Sequence, residues 1–442
     1  MKKEKSSFGK AFLKPFCFAK AFTENTSWKK IVVLIGLALC TMLLVSPALA
    51  SDTGTLEIYG NANEDDTIDM RDLTYVKLIF FGKKPETELA DAKYDGKINP
   101  LDFIQIKLII VGKEKELTVV DSADRIVTAK EPIERIVVFN HGMFVTMRSI
   151  KATDEVVGVC ERLMSHYGAL FSDVGDYPTA GWFREPDYEA VLRLNPDAVF
   201  LGGKDLIFGG NEEIIEKFKQ IDPSIAVICF DCDNPSYYVE EVRKSGYLFE
   251  KREEAEEFIE FYEKYTNVIE EGVAKISEED KPKVYFELPH KQYQTVGAGT
   301  PCHNMIVYAG GDNIFSDLSG SIDIDPEEVI KRNPEIIVKG GKSPGYNLDD
   351  PTILIKTRDK IMKRSGLTDV AAVNNESVYI FPYGFVCTPT HFICTAYLAK
   401  WFHPKLFKDL DPKAIHQEYL TRFLEVEYDL DKHGVFVYPE VN

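Results

Sequence analysis

EAVLRLNPDAVFLGG (Glu189–Gly203) and EEVIKRNPEIIVKGG (Glu327–Gly341) are two versions of one pattern, 138 positions apart in a chain of 442 residues. Each runs from a Glu through an apolar pair to Asn-Pro, an acidic residue, a β-branched run and Gly-Gly. Glu189 and Glu327 both stand seven positions before their proline, Pro196 and Pro334. Asn-Pro ends a helix, the acid opens a turn, and the apolar run reads as a buried strand. Gly-Gly beyond the strand lets the backbone come close to something at the strand's carboxyl end.

Working outward, ERIVVF, DEVVGV, PDAVFLG, IAVICF, KPKVYFEL, PEIIVKG and ESVYIF all read as buried strands. Helical stretches lie between them at Tyr188–Leu194, at Glu212–Lys219 and over a long run from Pro235 to about Glu278. Strand–helix alternation predicts an α/β fold with parallel sheets covered on both faces. The strands cluster on either side of the long run, which predicts two α/β lobes (116–234 and 279–442) joined by a helix (235–278), with a cleft between them.

Composition narrows the function. Lys+Arg 52 against Asp+Glu 71 gives a net charge of −19, the wrong sign for a protein that coats nucleic acid. One stretch alone, Ile31–Val45, is apolar enough to enter a bilayer. Lys29 and Lys30 precede it and SPALA follows, so residues 1–50 read as an export signal cut after Ala50, or as an anchor if uncut. Without those 50 residues, which carry eight Lys and two Glu, the net charge is −25. No phosphate loop or HExxH occurs in the sequence.

Residues 55–114 contain a repeat at an offset of 30: NANEDDTIDMRDLTYVKLIFFGK (Asn61–Lys83) over DAKYDGKINPLDFIQIKLIIVGK (Asp91–Lys113). Oxygen donors at loop positions 1, 3, 5 and 12, an apolar residue at 8 and a following helix suit a hard cation such as calcium. The apolar residue is expected to tie the loops together. Leu73, Val76 and Phe80 are expected to form the inward stripe of the first helix, and a short linker is expected near 114–118. These residues resemble a type I dockerin, the small all-α paired calcium-loop module that docks onto cohesins. The resemblance implies Ca2+ held in loop one by Asn61, Asn63, Asp65, Asp72 and the Thr67 carbonyl. In loop two it implies Asp91, Asp95, Asp102 and the Lys97 carbonyl. Lys93 stands at a ligand position of loop two and brings a positive charge to it, while Asp66 replaces the turn glycine of loop one.

The rest of the chain, about 116–425, resembles the solute-binding proteins of ABC importers for ferric siderophores, haem and cobalamin. ELTVVDSADRIVTAKEPIERIVVFN (Glu116–Asn140), DEVVGVC, YAGGDNIF (Tyr308–Phe315) and YLAKWFHPKLF (Tyr397–Phe407) carry that likeness. It implies a helical backbone between two rigid lobes, and Glu189 and Glu327 as contacts to permease arginines. It also implies an Fe(III) chelate as ligand, with corrinoid or haem as alternatives.

The residues that follow the strands are the candidate lining of the cleft: Asn140, His141, Arg162, Trp182, Phe183, Arg184, Lys204, His303, Tyr383 and His391, with Asp231, His290 and Lys339 beside them. Aromatics next to Arg suit a flat or apolar body carrying acidic oxygens. His141, His303 and His391 are the candidate axial ligands for a haem- or corrinoid-like guest. Six cysteines lie beyond residue 50, and export permits disulfides among them. A redox enzyme built on Cys229 and Cys232 with His303, and a surface scaffold working through the dockerin-like module, are the rival readings.

Overall fold

The computed structural model describes residues 54–203, 211–341, 345–386 and 388–440; Lys204, Cys387 and the 1–50 segment lie outside them. All seven apolar runs singled out above form strands. In the first lobe they build a four-stranded parallel sheet in the order Val156–Val159, Ile136–Val138, Ala198–Leu201, Ala226–Cys229. Every residue of Ile136–Val138 and Ala198–Leu201 is buried, as strands covered on both faces require.

The second lobe differs from the all-parallel expectation. Lys283–Glu287, Ile336–Gly341 and Val378–Pro382 are parallel, but Gln294–Val296 and Ser321–Asp323 extend the sheet antiparallel. The asparagines of the two matched stretches act alike. Asp187 caps Tyr188–Leu194 and Asp325 caps Pro326–Arg332 by accepting backbone amides, while Asn195 and Asn333 end those helices at φ 47. Asn tolerates that left-handed cap better than most residues.

The long run is two helices rather than one: Tyr238–Leu248 and Arg252–Val273, separated at Glu250, whose φ is 54. Only the second, at 22 residues, is long enough to serve as the connection between lobes. Its apolar face, with Phe258, Phe261 and Tyr262, packs against Phe392, Tyr419 and Phe423 of the second lobe.

In the N-terminal repeat, Met70–Phe80 and Pro100–Ile110 are helices, each opened by a capping box, Asp69 with Asp72 and Asn99 with Asp102. The inward stripe is Leu73, Val76 and Ile79; Phe80 is 41% exposed, one position off the face the sequence assigned to it. The expected linker near 114–118 is not a solvated joint. Glu114 is buried, and Glu116–Val120 already pairs with Ile126–Lys130 as a hairpin. One continuous core cluster runs from Leu56 and Ile58 through the first lobe and on to the helices of the second.

Candidate functional site

Four strands of the first lobe end in residues that meet around a cavity of about 40 Å3. Phe139, Asn140 and His141 follow Ile136–Val138, and Arg162 lies just beyond Val156–Val159. Gly202 follows Ala198–Leu201, and Asp231 and Asp233 follow Ala226–Cys229; Phe183 and Asn211 complete the lining. In open α/β sheets ligands bind outside the carboxyl ends of the strands, where this cavity lies.

Asn140 builds the site rather than facing a ligand with its amide. Its Oδ1 caps the helix His141–Ser149 at Gly142 (2.8 Å), while its Nδ2 donates to the carbonyls of Phe230 (2.6 Å) and Asp231 (3.1 Å). Thus one side chain ties two strand ends together. Gly203 is needed for the same reason: a Cβ there would overlap the Asp231 carboxylate.

Arg162 and Arg184 both lie over the Phe183 ring, at 4.9 and 5.2 Å from its centroid, and Trp182 stands 5.3 Å from Phe183. Trp182 belongs to a two-strand ribbon, Gly181–Trp182 with Glu185–Pro186, and is 41% exposed. Burial, then the neighbouring Arg162 and His166, hold His141 well below the usual histidine range; burial and Arg162 lower His166 in the same way. Both imidazoles are therefore neutral at pH 7, with ring centroids 5.6 Å apart. His166 Nδ1 lies 3.1 Å from the Arg162 carbonyl. The sequence reading missed His166, although its position four residues after Arg162 places both on one helix face. Asn211 and Asp233 were missed as well, because they sit in irregular loops that carry no periodic signal.

Other candidates do not join this cluster. His391 is fully buried, edge-on to the rings of Tyr238 (4.9 Å) and Tyr262 (5.7 Å), and burial pushes it down to about 3, so it is a core side chain. His303 Nδ1 faces Asn313 Nδ2 at 3.0 Å within its own lobe. Lys339 is buried against Glu287 at 3.0 Å. Tyr383 opens the helix Tyr383–Val386, and its side chain lies outside the described atoms.

Cys160, Cys229, Cys232, Cys302 and Cys394 are all buried and form no disulfide with one another. Burial pushes Cys229 up to about 12 and Cys232 well above the usual thiol range, the opposite of what a thiolate nucleophile needs.

Glu189 and Glu327 are exposed at the first turns of their matched helices, and Glu189 is only 3.9 Å from Arg193. In the N-terminal loops, Asp72 accepts the amides of Asn63 (3.1 Å) and Asp69 (2.8 Å); Asp102 accepts those of Lys93 (3.0 Å) and Asn99 (2.7 Å). Burial pushes Asp72 up to about 6 despite those bonds, with Asp65 and Asp69 adding to the rise. Asn61 is fully buried with no partner for its Oδ1. In loop two both Asp91 oxygens are taken by the amides of Asp95 and Gly96.

Known proteins share this fold. Molybdate-binding protein MolA of Haemophilus influenzae is 22% identical over 344 residues, covering 71% of this chain and 92% of that protein. The fold is shared with the TroA-like periplasmic binding protein FepB of Veillonella parvula (TM-score 0.59, 23% identity, 72% of this chain and 98% of that one). It is shared too with the Helicobacter pylori CeuE Ni-His complex (TM-score 0.57, 20% identity, 72% and 97%). The family model described as periplasmic binding protein matches residues 136–383, a span that contains none of the N-terminal loop pair. The chain belongs to the periplasmic binding protein family and is the substrate-binding component of an ABC transporter rather than an enzyme.

Proposed function

We propose that the chain captures an anionic metal complex outside the cytoplasmic membrane and hands it to an ABC permease. The observation that carries this reading is the position of Arg162: it lies over the Phe183 ring, beside neutral His141, and lines the cavity at the strand ends. A guanidinium in that setting suits the catecholate or carboxylate oxygens of an Fe(III)–siderophore, and exposed Trp182 can cover the chelate's apolar body. A corrinoid or haem uses the same cleft, with the His141 imidazole as the available ligand. Molybdate is the second reading, favoured by the small cavity volume and by the likeness to MolA.

Glu189 and Glu327, one per lobe at matched and exposed positions, are the proposed docking pair for permease arginines. Titration calorimetry on the full-length chain tests both halves of the proposal, using a ferric catecholate, haem, cobalamin and molybdate. One of these is expected to bind, and Arg162→Ala to weaken it about tenfold, the worth of one charge-assisted hydrogen bond. The double variant Glu189→Ala/Glu327→Ala is expected to keep that affinity while losing at least about tenfold in transport by the reconstituted importer. Unchanged transport would remove the docking role.

The N-terminal module is proposed to hold Ca2+ in loop one, through Asn61, Asn63, Asp65, Asp72 and the Thr67 carbonyl. Two observations support the fit: the buried, unpartnered Oδ1 of Asn61, and the carboxyl of Asp72 held up to about 6 among other acids. The ion would supply positive charge to the Asn61 and Asp72 oxygens, whereas Asp65 already pairs with Arg71 at 2.8 Å and would share it with the ion. Loop two, with Asp91, Asp95, Lys97 and Asp102, is the weaker site because Lys93 stands among its ligand positions. Met70, Phe81, Leu101, Ile104 and Val111 leave an exposed apolar face on the two helices, which suits a cohesin-like surface protein. The module would then tether a working importer component to the outer cell surface, so the scaffold reading and the importer reading coexist.

A further inference from the structure

A calcium-loop module carried on a flexible tether would keep its contacts to itself. Here Ile68, the apolar residue at the eighth position of loop one, gives its backbone N–H to the Tyr247 hydroxyl at 3.0 Å. Tyr247 belongs to the helix Tyr238–Leu248 of the binding protein, 179 positions away. The loop was expected to use this residue to pair with loop two; its amide is instead claimed by the lobe. The Thr67 hydroxyl lies 3.5 Å from the same oxygen.

The chemistry of the peptide unit makes that bond consequential. The N–H of Ile68 and the C=O of Thr67 belong to one planar trans peptide, so they point in opposite directions. A hydroxyl that fixes the N–H therefore aims the carbonyl the other way. Accepting the N–H bond also polarises the carbonyl and makes it a better oxygen donor.

Tyr247 is itself rigid. It is buried, and the Arg252 guanidinium lies 4.3 Å from its ring centroid while also bonding Glu114 (3.2 Å) and the Ile110 carbonyl (3.5 Å) of the module. Around it the two parts are sewn together. Ile58 bridges Val119 of the hairpin, Tyr59 N–H donates to the Thr118 carbonyl (2.9 Å), and Glu57 N–H donates to Glu240 (3.1 Å). Buried Lys244 pairs with Glu240 (2.7 Å) and Glu57 (3.6 Å) and donates to the Val120 carbonyl (2.6 Å).

We infer that Tyr247 of the binding lobe is a positioning residue for the loop-one cation site, so that cation binding there and the ordering of the helix Tyr238–Leu248 form one linked equilibrium. This rests on the calcium reading of loop one. A ligand that binds only the folded arrangement stabilises everything that must be in place to form it. The dockerin-like module is thus a calcium-dependent brace on the importer component as well as a surface for a partner.

The test is calcium titration calorimetry and thermal unfolding on the full-length chain, wild type against Tyr247→Phe. Tyr238→Phe, on the same helix but bonded to Thr146 of the lobe (3.1 Å), serves as the control for simple destabilisation. Tyr247→Phe is expected to weaken the tighter calcium site by about three- to tenfold, the worth of one hydrogen bond, and to shrink the calcium-induced rise in Tm. Tyr238→Phe is expected to leave calcium affinity unchanged. Should Tyr247→Phe fail to fold, hydrogen exchange on the wild type decides: calcium is expected to slow exchange in the amides of 238–248. Equal calcium affinity in wild type and Tyr247→Phe, or exchange in that helix unmoved by calcium, overturns the coupling and leaves the calcium reading standing. Absence of any calcium binding to the wild type overturns both.

Discussion

Glu287→Ala is expected to destabilise the second lobe by about 3–5 kcal/mol, as removal of one partner from a buried ion network does. Glu287 is fully buried at the end of Lys283–Glu287. Its Oε2 is 2.5 Å from Arg364 Nη1 and its Oε1 2.9 Å from Arg364 Nη2, a bidentate pair. Lys339 lies opposite it in register on the neighbouring strand, with Nζ 3.0 Å from Oε1. The Tyr285 hydroxyl (3.1 Å) and Tyr293 N–H (3.0 Å) donate to Oε2. Burial alone would push this carboxyl up, but the Arg364 bonds and the Lys339 charge outweigh it and hold it below the usual range. Removing the carboxylate leaves two buried cations with no anion between them, which costs more than the network's net worth. Urea unfolding measures the loss; a change below about 1 kcal/mol would show that the lobe relaxes to hydrate Lys339 and Arg364.

Glu131→Gln is expected to stabilise the protein at alkaline pH. Glu131 is 8% exposed, just after the strand Ile126–Lys130, and neither of its carboxyl oxygens makes a well-aligned hydrogen bond, the Ile133 N–H being its nearest donor. Burial first, then the charge of Glu114 with Glu250 adding to it, push it up to about 9 against the opposing pull of the Ile133 N–H and of Arg252. The unfolded chain ionises this group near 4.5, so at neutral pH folding must take up a proton. Stability that is fully present below 4.5 is therefore lost as pH rises to about 9, at about 1.4 kcal/mol per pH unit. His391 and His416, pushed down to about 3 by burial, act in the opposite direction below 6.5, so the clean window lies above pH 7. Between pH 7 and 8.5 the wild type is expected to lose about 2 kcal/mol that Glu131→Gln keeps. Parallel pH profiles for the two proteins would mean that the carboxyl is hydrated rather than buried.

The strands were legible because a buried parallel strand has little freedom in composition: seven apolar runs became seven strands. The matched helices were legible through Asn-Pro, since Asn195 and Asn333 both end their helices just before the proline; that they do so in the left-handed region is seen only in the structure. What escaped was whatever depends on a second element. Phe80 and Ile79 are adjacent apolar residues, and only the packing of the helix decides which one turns inward. Glu250 breaks the long run because its backbone is left-handed there, and nothing in YLFEKREE (247–254) announces that. In the site, Arg162, Phe183 and His141 were found because they follow strands. His391 was misplaced because a histidine after a strand and a histidine inside an apolar helix look alike until its neighbours, Tyr238 and Tyr262, are known. Tyr247 was invisible because its partner lies 179 residues away.

The most direct measurement is tryptophan fluorescence of the full-length chain titrated with a ferric catecholate, haem, cobalamin and molybdate, beside the Trp182→Phe variant. Of the three tryptophans, Trp28 belongs to the 1–50 segment, Trp182 stands exposed next to Phe183, and Trp401 is buried and stacked on Tyr379 at 4.3 Å, so the signal lost in Trp182→Phe is the one a ligand in the cleft reaches. Saturable quenching by one class of anionic metal complex, lost in Trp182→Phe, is the predicted result. Flat titrations with all four ligands, or quenching that survives the substitution unchanged, would contradict the assignment of this cleft as the capture site.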